Sequence, residues 1–333
     1  MANGELLRKL IRSGAEGDLA AFRRVAKQLI DEERQKQHHL LAGDLETILY
    51  GRPKSTTSSA LRNVKADIPV DRERGIPMLS VREPVFRLDD VVLSQENLST
   101  VKSIMLEYNR AEVLKTHGLR PTDRLLFCGP SGCGKTLTAE VIANELGRPF
   151  AVVRTDSVVS SFLGETAANL RKVFDFAAAF PMVILFDEFD ALGKERDDAT
   201  EHGELRRVVN AVLQMLDAYD GRSLIVAASN HEGMLDTAIW RRFEDVLYFK
   251  PPTAAQLCRL LSIKMRGVRY EFTAKEVTDR GWFKGAPHAD VERVVRWAVK
   301  DMILKGGDLV LRLDHLETAQ RREKTRKQLA DKR

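Results

Sequence analysis

The sequence predicts an α/β fold in which a parallel sheet is flanked by helices, and three observations predict it. First, the chain carries three short unbroken apolar runs, Leu125 to Cys128, Met182 to Phe186 and Leu224 to Ala228. Runs of that length without polar alternation suit parallel strands covered on both faces. Second, each run stops abruptly at residues able to meet a ligand: glycines after Cys128, Asp187-Glu188 after Phe186, and Ser229-Asn230 after Ala228. In open α/β sheets, ligands gather at the carboxyl ends of the strands. Third, Leu137 to Leu146 lacks proline and glycine and sets Leu137, Val141, Ile142 and Leu146 on one stripe, so a helix follows the first strand and its glycine-rich turn.

In chain order, residues 1–50 read as a small helical N-terminal module. Apolar pairs recur at Leu6-Leu7, Leu10-Ile11, Leu29-Ile30, Leu40-Leu41 and Ile48-Leu49, and Asp18 is placed to cap a helix from Leu19 to Arg34. Residues 51–84 shift to proline, serine, threonine and charge, including Pro53 to Ser59, and read as a linker. Residues 85–252 contain the apolar runs and form the α/β core, and residues 253–319 read as a helical lid. Residues 320–333 are polar and basic without an apolar face, which fits either a solvated helix or a disordered tail.

The segment Gly129-Pro130-Ser131-Gly132-Cys133-Gly134-Lys135-Thr136, with Leu137 continuing into the helix, fits G-x-x-x-x-G-K-[ST] at every fixed position. Its glycines let backbone N–H groups turn inward around phosphate oxygens, Lys135 reaches the β and γ phosphates, and the Thr136 hydroxyl is placed for Mg²⁺. The strand before it and the helix after it are the context such a loop needs, so the fold narrows to a P-loop NTPase binding ATP and Mg²⁺. Adjacent carboxylates at the end of a buried strand are costly unless used. Asp187 would hold the metal shell, and Glu188 would orient and deprotonate the attacking water. Asn230, at the end of the third run, would contact the γ-phosphate or that water. Arg241 and Arg242 close a short helical stretch, and arginine forks onto phosphate, so the pair could serve as fingers for a neighbouring subunit's nucleotide.

These elements in this order resemble the classical AAA family of ATPases over residues 85–315. The resemblance includes Asp190 after Asp187-Glu188, and Leu235-Asp236-Thr237-Ala238-Ile239-Trp240-Arg241-Arg242-Phe243, similar to the family's second region of homology. Phe162-Leu163-Gly164-Glu165-Thr166 is similar to the loop lining the central pore of the family's hexamers, which makes Phe162, with Leu163, the candidate grip on substrate. Gly285 to Glu292 resembles the turn that opens the lid helix against adenosine, implicating His288 and Ala289, although His288 stands where the family has glycine. Asp89 to Leu93 resembles the segment whose backbone reads adenine, implicating Asp90, Val91 and Val92, with Leu93 replacing another glycine. The resemblance implies ATP-driven remodelling or threading of a protein substrate by a homo-oligomeric ring, most readily a hexamer. The compact layout is similar to bacterial stand-alone members, some encoded beside a separate protease of the subtilisin-like kind. The alternative is a nucleic-acid-associated ATPase, such as a helicase loader or transposition regulator.

Composition restricts the remaining classes. At 333 residues and 44% hydrophobic, the chain can bury a sizeable core and should hold more than one domain. Three cysteines, Cys128, Cys133 and Cys258, lack zinc-ligand spacing, and an odd count without a signal peptide points to the cytoplasm. No apolar run approaches a membrane span. The net charge of +5 is dispersed, and no aromatics interleave the basic tail, so direct nucleic-acid binding is disfavoured.

Overall fold

The structure is a computed structural model that describes residues 6, 8–9, 12–13, 18–35, 67–71, 75–158, 163–192, 202–231, 237–306 and 308–330. The chain divides into two compact units. One comprises residues 56–260 and 281–293, the other residues 1–55, 261–280 and 294–333.

The first unit is built on a six-stranded sheet. After α1 (Leu19–Gln35), the elements are β1 (Leu79–Arg82), α2 (Gln95–Asn109), α3 (Ala111–Thr116), β2 (Arg124–Cys128), α4 (Lys135–Glu145), β3 (Phe150–Val153), α5 (Thr155–Val158) and α6 (Leu163–Ala179). They continue with β4 (Val183–Phe186), a 3₁₀ turn (Phe189–Leu192), α7 (His202–Asp217), β5 (Leu224–Ser229), α8 (Thr237–Trp240), β6 (Asp245–Tyr248) and α9 (Ala254–Lys264). The strand order is β1-β3-β4-β5-β2-β6. All pairings are parallel except β1 with β3. The fold is therefore that of a P-loop NTPase, with a mostly parallel sheet between helices.

The unbroken apolar runs now have a physical reason, because successive side chains of one strand feed two separate cores. Leu126, Cys128, Ile184, Phe186, Ile225 and Ala227 pack with Leu170, Val173 and Phe174 of α6 and Val212, Leu213 and Leu216 of α7. Their neighbours Leu125, Phe127, Val183, Leu185, Leu224 and Val226 pack with Val101 and Ile104 of α2 and Ala139, Ile142 and Ala143 of α4. Period-2 geometry sends alternate residues to opposite faces, so a strand covered twice must be apolar throughout.

The sheet extends further than the apolar runs indicate. Strand β1 lies inside the stretch read as linker, with Leu79 and Val81 buried and Ser80 and Arg82 exposed. It is an antiparallel edge strand with one covered face, so it alternates and leaves no run. Strand β6 starts on Asp245 at the opposite edge, next to β2.

The second unit takes α1, the C-terminal part of α9, β7 (Arg269–Tyr270), α10 (Ala274–Asp279), most of α11 (His288–Lys305), β8 (Val310–Leu311) and α12 (Leu313–Ala330). Asp18 caps α1 as its sequence indicates, its Oδ1 accepting from the Ala21 amide at 2.9 Å. Strands β7 and β8 form a short parallel pair. Helix α12 runs past residue 320 into the basic segment, burying Gln320 and Glu323 and stacking the Arg322 guanidinium 4.4 Å from the Trp297 ring centre. Among the described residues, no helix is long and apolar enough to cross a membrane.

Candidate functional site

The loop between β2 and α4 is shaped by glycines with positive φ. Gly129 has φ 137°, and a β-carbon there would lie 2.0 Å from the carbonyl oxygen of Phe249. Gly134, with φ 99°, precedes Lys135 at the start of α4. Open space surrounds its missing side chain, so only backbone strain forbids a larger residue. Gly132 (φ 76°) accepts a hydrogen bond on its carbonyl from the Ala289 amide at 3.0 Å, which ties the start of α11 to the loop. A stability difference should follow. Gly129→Ala combines backbone strain with a backbone collision and should cost at least about 2 kcal/mol, whereas Gly134→Ala carries strain alone, about 1 kcal/mol. Chemical denaturation of both variants checks the order, and equal losses would contradict it.

Four of the sequence-selected residues meet at the ends of β2, β4 and β5. Lys135, the first residue of α4, is buried, and its Nζ donates to the carbonyls of Gly129 (2.5 Å) and Pro130 (3.0 Å) and to Oδ1 of Asn230 (2.8 Å). Burial lowers the pKa of its ammonium, while Cys133, Asp187 and Asp190 pull the other way. Thr136 Oγ1 donates to Asp187 Oδ2 at 2.8 Å. Asp187 Oδ1 accepts from the amide of Glu188 at 3.0 Å. Asp190 is buried and its Oδ1 accepts from the Asn230 amide at 3.2 Å, which locks the end of β5 to the turn after β4. Glu188 itself is exposed and has φ 52°, a left-handed backbone uncommon for a glutamate. The strained residue directly follows the end of β4.

Beside the loop lies a cavity of about 500 Å³, lined among others by Val92, Leu93, Asn97, Cys133, Phe249 and His288. Val92 and His288 both line this one space. Val91 is buried and Asp90 caps its own turn, its Oδ2 accepting from the Arg87 amide at 2.9 Å. Leu137 is half-buried in the first turn of α4. Ser131 lies exposed at the loop's tip. Cys133 is buried, which pushes its thiol pKa up, while Lys135 nearby pulls it down. Asn97 is a lining residue that the sequence does not single out, since one polar residue in an amphipathic helix carries no signal.

The structure separates the two arginines. Arg242 is held by its own chain: Nε and Nη2 contact Asp217 Oδ2 at 3.1 and 3.0 Å, and Nη1 donates to the Ala238 carbonyl at 2.7 Å. Arg241 is exposed and forms no ion pair among the described residues. Phe162 and most of the charged segment from Gly193 to Arg207 lie outside the described residues, and Leu163 is described only as the first residue of α6.

Comparisons with known proteins agree with this arrangement. Residues 125–251 match the family model for the ATPase family associated with various cellular activities (AAA). The chain is 43% identical over 306 residues to "Uncharacterized AAA family ATPase y4kL" of Sinorhizobium fredii, covering 92% of this chain and 91% of that protein. It is 31% identical over 194 residues to "Protein SAV" of Sulfolobus acidocaldarius, covering 56% of this chain but 25% of that longer protein. A phosphate loop with its lysine, a threonine bonded to a strand-end aspartate, and a near-full-length relative converge on one conclusion: this chain belongs to the AAA family and is an ATPase, binding and hydrolysing ATP.

Proposed function

We propose that this ATPase works as a closed ring, most simply a hexamer, in which hydrolysis at shared sites remodels or threads a protein chain. The observation that carries the reading is Arg241, exposed and without an ion pair among the described residues, while Lys135 is bonded to Asn230 and Thr136 to Asp187 within one subunit. A guanidinium left charged and unengaged at the surface is what a finger offered to a neighbour requires. Within the subunit, Lys135 holds the β and γ phosphates and Asn230, bonded to Lys135, positions the γ-phosphate or the water. Glu188 takes the water's proton. Thr136 and Asp187 present hard oxygen donors 2.8 Å apart, a set that suits Mg²⁺. When bound, Mg²⁺ neutralises charge on the phosphates. Arg242, pinned to Asp217, positions the segment that carries Arg241.

Phe162, in the loop that resembles the family's pore loop, is the proposed contact with substrate, because an aromatic ring can grip an extended chain without sequence preference. An unfolded model protein such as casein should stimulate ATP turnover, and Phe162→Ala should abolish that stimulation. The nucleic-acid alternative gives another pattern. DNA would stimulate instead, steeply weakened by salt as counterions are released, and Phe162→Ala would change nothing. A separately encoded protease as downstream partner rests on the family resemblance alone, and co-purification with the Glu188→Gln protein is its test.

A further inference from the structure

A largely buried asparagine, Asn97, lines the base-side cavity. Asn97 lies in the first turn of α2, whose N-cap Ser94 accepts from the Asn97 amide at 3.1 Å. Only 7% of Asn97 is exposed, yet it lines the cavity together with Val92, Leu93, Tyr248 and Phe249. Its Nδ2 donates to the Tyr248 carbonyl at 2.8 Å. A carbonyl only accepts, so this bond fixes which way the amide points and leaves Oδ1 as the free end. Among the described residues, no donor reaches Oδ1. The residue is buried as a whole, so the cavity is the side from which a ligand donor can reach Oδ1. Val92, Leu93 and Phe249 give the cavity apolar wall that suits the faces of a purine, while Glu96, Lys250, Thr253, Gln256 and His288 add polar groups to the same lining.

We propose that Asn97 reads the nucleotide's base, its Oδ1 accepting a hydrogen bond from the 6-amino group of adenine, so that the site selects ATP over 6-oxopurine nucleotides. Adenine presents a donor at that position, while guanine and hypoxanthine present a carbonyl oxygen. Against Oδ1, a carbonyl meets acceptor with acceptor. The bond from Nδ2 to β6 stops the amide from rotating to suit the other bases. This inference rests on the reading of the cavity as the base end of the nucleotide site.

The test is direct binding of ATP, purine riboside triphosphate (which lacks the 6-amino group), inosine triphosphate, 2′-deoxy-ATP and tripolyphosphate to the full chain. Wild type should bind ATP about tenfold more tightly than purine riboside triphosphate, one neutral hydrogen bond's worth, and should bind inosine triphosphate no better than that. In Asn97→Ala the ratio of ATP to purine riboside triphosphate should fall to about one. Comparing ratios within each variant cancels any general effect of losing the bond to Tyr248. An unchanged ratio in Asn97→Ala would overturn the proposal. So would a loss confined to discrimination against 2′-deoxy-ATP, which would place Asn97 on the ribose. Tripolyphosphate binding as tightly as ATP would remove the base-pocket reading itself. ATP exceeding tripolyphosphate but equalling purine riboside triphosphate would remove only the role of Asn97.

Discussion

Arg241→Ala protein should hydrolyse ATP on the order of 10³- to 10⁵-fold more slowly than wild type while folding and binding nucleotide normally. The expectation follows from the unequal surroundings of the two arginines. Arg241 is exposed, and its removal breaks no ion pair among the described residues. Arg242 is about three-quarters buried and shares Asp217 through two nitrogens. Arg242→Ala should therefore lower stability by about 1–3 kcal/mol, the range for charged hydrogen bonds lost from a partly buried group. Thermal melting separates the two variants before any kinetics is measured. The sharper measurement is mixing. Arg241→Ala and Glu188→Gln proteins, each inactive alone, should regain activity together, since about one interface in four of a randomly mixed closed ring pairs an intact Glu188 with an intact Arg241. Two inactive proteins that remain inactive when mixed under ring-forming conditions would mean that the finger is not supplied across an interface.

How much of this was legible in the sequence depends on whether a feature is local. The phosphate loop is a contiguous pattern flanked by a strand and a helix, and β2, β4 and β5 announce themselves because both their faces are covered. Strand β1 does not, since an edge strand of four residues with alternate exposure resembles any polar stretch. The unequal surroundings of Arg241 and Arg242 were equally hidden. They are set by Asp217, on a helix that ends before β5, and no spacing rule links the two. Asn97 shows the same limit. Its importance comes from the Tyr248 carbonyl, 151 residues away along the chain, and from the cavity they share. The departures at Leu93 and His288 are visible in sequence, but that both line that one cavity is a tertiary fact.

Glu188→Gln should bind ATP and fail to turn it over, with a rate loss of roughly 10²- to 10⁴-fold, the contribution expected of a general base. The substitution isolates basicity unusually well at this site. Glu188 sits at φ 52°, a conformation equally unfavourable for glutamate and glutamine, so the swap leaves backbone strain unchanged. The hydrogen bond from the Glu188 amide to Asp187 Oδ1 belongs to the main chain and survives any side chain at this position. The Thr136 to Asp187 contact is likewise untouched. What disappears is the carboxylate's ability to accept a proton, and nucleotide affinity should stay within a few-fold of wild type. Lys135→Ala provides the contrast. It removes the ammonium that bridges the loop carbonyls and Asn230, and so should weaken ATP binding itself. Titration with a fluorescent ATP analogue, beside single-turnover hydrolysis, distinguishes a trapped complex from an empty one. If Glu188→Gln hydrolysed bound ATP at a rate comparable to wild type, the base would have to be sought elsewhere. The kinked strand end would then be strain without a chemical use.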